Sequence, residues 1–149
     1  EQLGVDVATA MSQGDASHLV PGLTDARDVV AGCMFSCALG GNGKVSCWGG
    51  NDRSQLGAGG GDRTSSARPI EIEGVEGAVA IGAGCAHACV RTDEGTILCW
   101  GSNARGQLGT DRISLSEGLV TLPARGRLHV LRFATCVDEG GGAFRCFGE

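Results

Sequence analysis

Apolar residues along this chain come in short bursts separated by glycine-rich turns. Nowhere do they recur at the three-to-four-residue spacing of a helix face. Two bursts, residues 29–39 and 79–90, are small, apolar and partly alternating, and each predicts a strand. The first runs into Gly40-Gly41-Asn42-Gly43 and the second into Thr92-Asp93-Glu94-Gly95. Both are turn chemistry, in which glycine supplies the positive φ that tight turns need. Residues 44–48 and 96–100 predict the returning strands, and residues 49–51 and 101–103 start a second turn. Residues 68–72 and 119–122 predict further strands. About four short strands in roughly 50 residues is the size of one β-propeller blade.

The pattern repeats. Cys47-Trp48-Gly49-Gly50-Asn51 and Gln55-Leu56-Gly57 recur, 52 residues later, as Cys99-Trp100-Gly101-Ser102-Asn103 and Gln107-Leu108-Gly109. Upstream, Ala31-Gly32-Cys33-Met34-Phe35-Ser36-Cys37 matches Ala83-Gly84-Cys85-Ala86-His87-Ala88-Cys89 at the same offset. A third copy runs from Thr135-Cys136 to Cys146-Phe147-Gly148, with a lead-in five residues shorter. Gln2-Leu3-Gly4 is the tail of an earlier copy. The expected organisation is therefore residues 1–4 as a tail, 5–57 as repeat one, 58–109 as repeat two and 110–149 as a truncated repeat three. The polar loops 58–66 and 110–117 mark the boundaries.

Cysteine spacing adds a geometric constraint. Cys37 and Cys47, Cys89 and Cys99, and Cys136 and Cys146 are each ten residues apart. Reflecting each hairpin about its turn sets the two members opposite each other, within reach of a disulfide. Three cystines, each stapling its own hairpin, are expected, and with them an oxidising location: secreted, periplasmic or cell-surface. Cys33 and Cys85 hold equivalent places in successive copies. They read as two separate thiols, with a cross-blade cystine as the alternative.

The combined motif resembles the regulator of chromosome condensation repeats, bacterial members above all. There Gly-x-x-His-x-Cys-Ala-Leu precedes Gly-x-Val-x-Cys-Trp-Gly-x-Asn-x-x-Gly-Gln-Leu-Gly. The second copy carries Gly84, His87, Cys89, Gly95, Cys99, Trp100, Gly101, Asn103, Gly106, Gln107, Leu108 and Gly109. The first carries Trp48, Gly49, Asn51, Gln55, Leu56 and Gly57, but has Phe35 in place of the His. The third has Leu131 for the Gly, Ala134 for the His and Phe147 for the Trp. The resemblance implies a ring of about seven four-stranded blades. Three periods then form a partial ring, completed by further blades or by self-association.

The repeated residues read as architecture: Trp48, Trp100 and Phe147 pack between blades, Asn51 and Asn103 tolerate left-handed backbone or bond a turn, and Gln55 and Gln107 bond nearby backbone. Cys85, His87 and Cys89 alternate as metal ligands would, yet Cys89 has a better partner in Cys99, so no metal or cofactor is expected. Composition narrows the function further. Acidic residues outnumber basic ones, 17 to 12, for a net charge of −5, which disfavours a phosphate-bound nucleic acid. No apolar run is long enough to span a bilayer as a helix. His18, His87 and His129 have no matched Ser and Asp partners, and the breaks in the repeat at Arg27, Asp28, Arg91 and Asp138 form no catalytic constellation. The expected fold is all-β, about three four-stranded propeller blades. The expected function is a non-enzymatic scaffold that binds a partner protein through loops on one face of the ring. The charged pairs Asp62-Arg63 and Asp111-Arg112 after the Gln-Leu-Gly motifs read as solvated loop tips. The resemblance also implies two alternatives: a regulator resembling a nucleotide-exchange factor for a small GTPase, or a propeller that scaffolds a hydrolase or lyase site.

Overall fold

The computed structural model describes residues 19–114 and 117–149. The Gln2-Leu3-Gly4 tail and His18 lie outside the described residues. Strands β1 (Ala26–Ala31), β2 (Phe35–Gly40), β3 (Val45–Gly50) and β4 (Ser65–Glu71) form one antiparallel sheet in that order. Strands β5 (Ala78–Ala83), β6 (His87–Thr92), β7 (Ile97–Gly101) and β8 (Glu117–Thr121) form the second. Strands β9 (Arg127–Val130), β10 (Ala134–Gly140) and β11 (Ala143–Gly148) form the third, three-stranded among the described residues. The shortened lead-in of this copy still sets Cys136 opposite Cys146, with a register shift between Asp138 and Gly140.

Two features depart from the strand reading of the sequence. The apolar bursts are not single strands. Each folds back on a two-residue hairpin loop, Cys33-Met34 in the first sheet and Cys85-Ala86 in the second, with Arg132-Phe133 in the third. Amides of Gly32, Gly84 and Leu131 close these loops by donating to the carbonyls of Phe35, His87 and Ala134 at 2.8, 2.9 and 2.8 Å. Glycine is required at Gly32 because a Cβ there would stand 2.5 Å from the Gly84 carbonyl of the next sheet. The turn thus lies inside an apolar run with no polar signal.

The second departure is a stagger. β4 belongs to the second sequence period and β8 to the third, yet β4 pairs with β3 and β8 with β7. A strand of the following period completes each sheet. Consecutive periods are therefore knitted together by backbone ladders as well as by side chains.

Cores lie between successive sheets. Phe35, Leu39, Val45, Leu56, Ile72, Val90 and Trp100 form the first. Ile97, Leu108, Leu122 and Val137, with Phe147 against them, form the second. Trp100 enters the first core, whereas Trp48 is buried but belongs to neither of these two cores. The ladder slips between Cys47 and Gly49 and between Cys99 and Gly101, so each Trp sits on a bulge. The following glycines have φ of 103° and 99°, and a Cβ on Gly101 would lie 2.5 Å from the Ala86 carbonyl.

Candidate interaction face

The repeated polar residues work inside the loops. Asn51 Oδ1 accepts from the Leu56 amide (3.0 Å) and its Nδ2 donates to the Arg63 carbonyl (2.9 Å). Asn103 does the same with the Leu108 amide (2.8 Å) and the Arg112 carbonyl (2.6 Å). Gln55 and Gln107 accept from the amides of Arg53 (2.7 Å) and Arg105 (2.9 Å). All four are buried. The left-handed backbone falls instead on Ser54 and Gly106, with φ of 57° and 76°. Trp100 spans two sheets: it is fully buried and its Nε1 donates to the Gln55 carbonyl at 2.9 Å. These residues hold the loops in shape and present nothing to a ligand.

The cysteines are all paired. Cys37 joins Cys47, Cys89 joins Cys99 and Cys136 joins Cys146, each across its own hairpin with Cα atoms 4.0–4.1 Å apart. Cys33 joins Cys85, where two separate thiols were the expected arrangement. The two-residue hairpin loops explain this: they bring equivalent positions of neighbouring sheets together, and the Cys33 amide donates to the Cys85 carbonyl at 3.0 Å. His87 is no ligand in this setting, since Cys85 and Cys89 are both bonded elsewhere. Its Nε2 meets Thr135 Oγ1 of the third sheet at 3.1 Å, and its Nδ1 has no hydrogen-bond partner among the described residues. Burial pushes its pKa down to about 4, so the ring is neutral in the fold.

The two rims of the stack differ. One carries the β2–β3 turns and the sheet-to-sheet connections and is dominated by charge: Lys44 and Arg145 pair with carboxylates, while Asp93 and Glu94 stand exposed. Lys44 donates to Glu76 at 3.2 Å and lies 3.6 Å from Glu71; the hydrogen bond and charge of Glu76 hold its pKa above the ordinary value. Arg125 donates to the Glu94 carbonyl at 3.0 Å, and Arg27 to the Ala78 carbonyl at 3.4 Å. A cavity of about 410 Å³ on this rim is lined by Glu76, Asp93 and Glu94 among others. The sequence breaks at Arg27, Asp28, Arg91 and Asp138 are spread over β1, β6 and β10 and build no site.

The other rim carries the two-residue hairpin loops and the long Gln-Leu-Gly loops. Met34, Ala86 and Phe133 occupy one equivalent place on it: the amides of Gly50, Ser102 and Glu149 donate to their carbonyls at 2.6, 2.9 and 3.2 Å. Met34 is 65% exposed and Leu131 53%. The guanidinium groups of Arg105 and Arg132 lie over the Phe133 ring, 4.5 and 5.1 Å from its centroid. Arg105 also pairs with Glu149. Asp62, Arg63, Asp111 and Arg112 are exposed on the outer loops of this rim, beside Ile113. Arg132, Phe133, Met34 and Arg105 are absent from the sequence-based expectations. A signal exists: within an otherwise repeating frame, position 34 and its equivalents change from Met to Ala to Phe.

A stack of staggered antiparallel sheets, joined by buried aromatics and clamped loops, defines a partial β-propeller. The chain belongs to the regulator of chromosome condensation (RCC1) repeat family: two descriptions of that repeat match residues 42–91 and 78–107. It is 39% identical over 126 residues to the human E3 ubiquitin-protein ligase HERC2, spanning 76% of this chain and 3% of that protein. It is 38% identical over 89 residues to the Protein RCC2 homolog of Danio rerio, spanning 55% of this chain and 18% of that one. The chain thus spans less than a fifth of either relative. Among solved structures it resembles yeast RCC1 (Prp20) in its complex with Kap60, with a TM-score of 0.75 at 15% identity, over 99% of this chain and 37% of that one. It also resembles human WBSCR16, with a TM-score of 0.68 at 20% identity, over 88% and 35% of the two chains.

Proposed function

We propose that this chain is part of a non-catalytic propeller scaffold that holds a partner protein on the rim bearing Met34, Leu131, Arg132 and Phe133. The observation that carries this reading is the contrast between the rims. One is dominated by charged side chains, Lys44, Glu71, Glu76, Asp93 and Glu94 among them, while the other exposes Met34 and Leu131 around an aromatic flanked by two arginines, a composition enriched at protein interfaces. The repeated polar residues are consumed by the fold, so recognition falls to the positions that vary between copies. The strongly shifted histidine lies buried between sheets, away from any cleft, which supports binding over acid–base chemistry. The four cystines support an oxidising location, secreted or at the cell surface. The test is capture of native partners by the oxidised chain, compared with Met34→Asp/Phe133→Asp and with Glu73→Lys on the opposite rim. Capture lost with the first and kept with the second is expected. The reverse pattern overturns the reading, and turnover of a hydrolase or lyase substrate would replace it.

A further inference from the structure

We propose that the Cys33–Cys85 cystine is a thiol–disulfide exchange site that accepts small anionic thiols. The Cys37–Cys47 and Cys89–Cys99 cystines have wholly buried residues at both ends; in the third hairpin couple Cys136 is buried and Cys146 is exposed on the last strand. Cys33 is exposed and Cys85 half-buried, in loops rather than strands. A shallow cavity of about 280 Å³ opens on this pair, lined otherwise by Ala31, Gly32, Ala83, Gly84 and Arg132. Apart from Arg132, no side chain there is larger than a methyl group, so nothing screens the sulfurs. The glycines keep it so, since a Cβ on Gly32 or Gly84 meets the backbone carbonyl of the neighbouring sheet. Arg132 is the only charged residue of the cavity and has no carboxylate partner among the described residues.

The chemistry follows from that geometry. An incoming thiolate attacks Sγ of Cys33, the more accessible sulfur. A new external S–S bond forms as the Cys33–Cys85 bond breaks, and the electron pair leaves on Cys85 Sγ. The positive charge of Arg132, whose guanidinium lies over the neighbouring Phe133 ring at the edge of this cavity, attracts the anionic thiol; the departing thiolate takes a proton from solvent. A second equivalent of thiol attacks the external sulfur and leaves as the mixed partner's disulfide, so two thiols are oxidised and one cystine is reduced. The sheets stay together because Trp100 and the buried core between them join them independently.

The probes are 2-sulfanylethanesulfonate and 2-aminoethanethiol, an anionic and a cationic thiol of similar reach. They are added to the oxidised 149-residue chain at about pH 8, near the ordinary thiol pKa. Products are trapped with iodoacetamide and located by peptide mass mapping. The first product is expected to carry the external thiol on Cys33 and the alkyl group on Cys85, with the other three couples intact and the far-ultraviolet circular dichroism unchanged. After correction for each thiol's reaction with a neutral peptide disulfide, the anionic thiol should react on the order of threefold faster, the effect of one partly exposed charge pair. Arg132→Gln should remove that preference while leaving Cys33 the first site. First modification at Cys146 or any hairpin couple, simultaneous labelling of all eight cysteines, or equal corrected rates for the two thiols on the unmutated chain would each overturn the proposal.

Discussion

The joint between the first and second sheets and the joint between the second and third use the same places in the repeat but fill them differently. At the first joint Trp100 reaches back to donate to the Gln55 carbonyl, Phe35 fills the inner position, and a cystine ties the hairpin loops. At the second, Phe147 takes the tryptophan place and has no donor to offer. His87 takes the inner position and meets Thr135, and Arg132 replaces the second cysteine, leaving only the Cys85 amide on its carbonyl at 2.8 Å. Repeat position therefore decides where two sheets touch, and residue identity decides how firmly.

Removing the strongest element of the first joint should have the largest effect. Trp100→Ala opens a cavity in the first core and leaves the Gln55 carbonyl unpaired; a loss of about 3–5 kcal/mol is expected in denaturant unfolding. A loss below about 1 kcal/mol would show that the rest of the first core carries the joint. The next effect tests the second joint with acid. The unfolded chain takes up the His87 proton near pH 6.5, whereas the folded chain resists it down to about 4. The stability contributed by neutral His87 is therefore complete above about pH 6.5 and is lost as pH falls through 4, amounting to about 3 kcal/mol. His87→Phe, which copies the Phe35 position, should flatten this part of the pH–stability curve relative to the parent; an unchanged slope would contradict it. The smallest effect sharpens the comparison by making the joints alike. Phe147→Trp supplies the missing donor near Gln107 and should gain about 1 kcal/mol, read as a higher denaturant midpoint at constant slope.

Much of the architecture was legible because it recurs. The 52-residue offset, the Trp-Gly pairs and the turns at Gly43 and Gly95 stand out without any structure, and they mark propeller strands correctly. The hairpin loops at Cys33-Met34 and Cys85-Ala86 were invisible for a physical reason. Their turn is enforced by close approach of the neighbouring sheet, and their residues are as apolar as the strands they join. Misreading them as strand interior is also what kept Cys33 apart from Cys85. The rim proposed to hold a partner was harder still, because Met34, Arg132 and Phe133 carry no motif and gain meaning only from sharing one edge.

The sequence by itself determined the period, the strand-and-turn grammar and the pairing of cysteines ten apart, since these depend on contacts within one hairpin. Tertiary structure alone decided which period completes which sheet, that Cys33 and Cys85 meet, and that Met34, Ala86 and Phe133 share one rim. Those outcomes depend on how one sheet is seated on the next, a relation set by packing between segments some fifty residues apart.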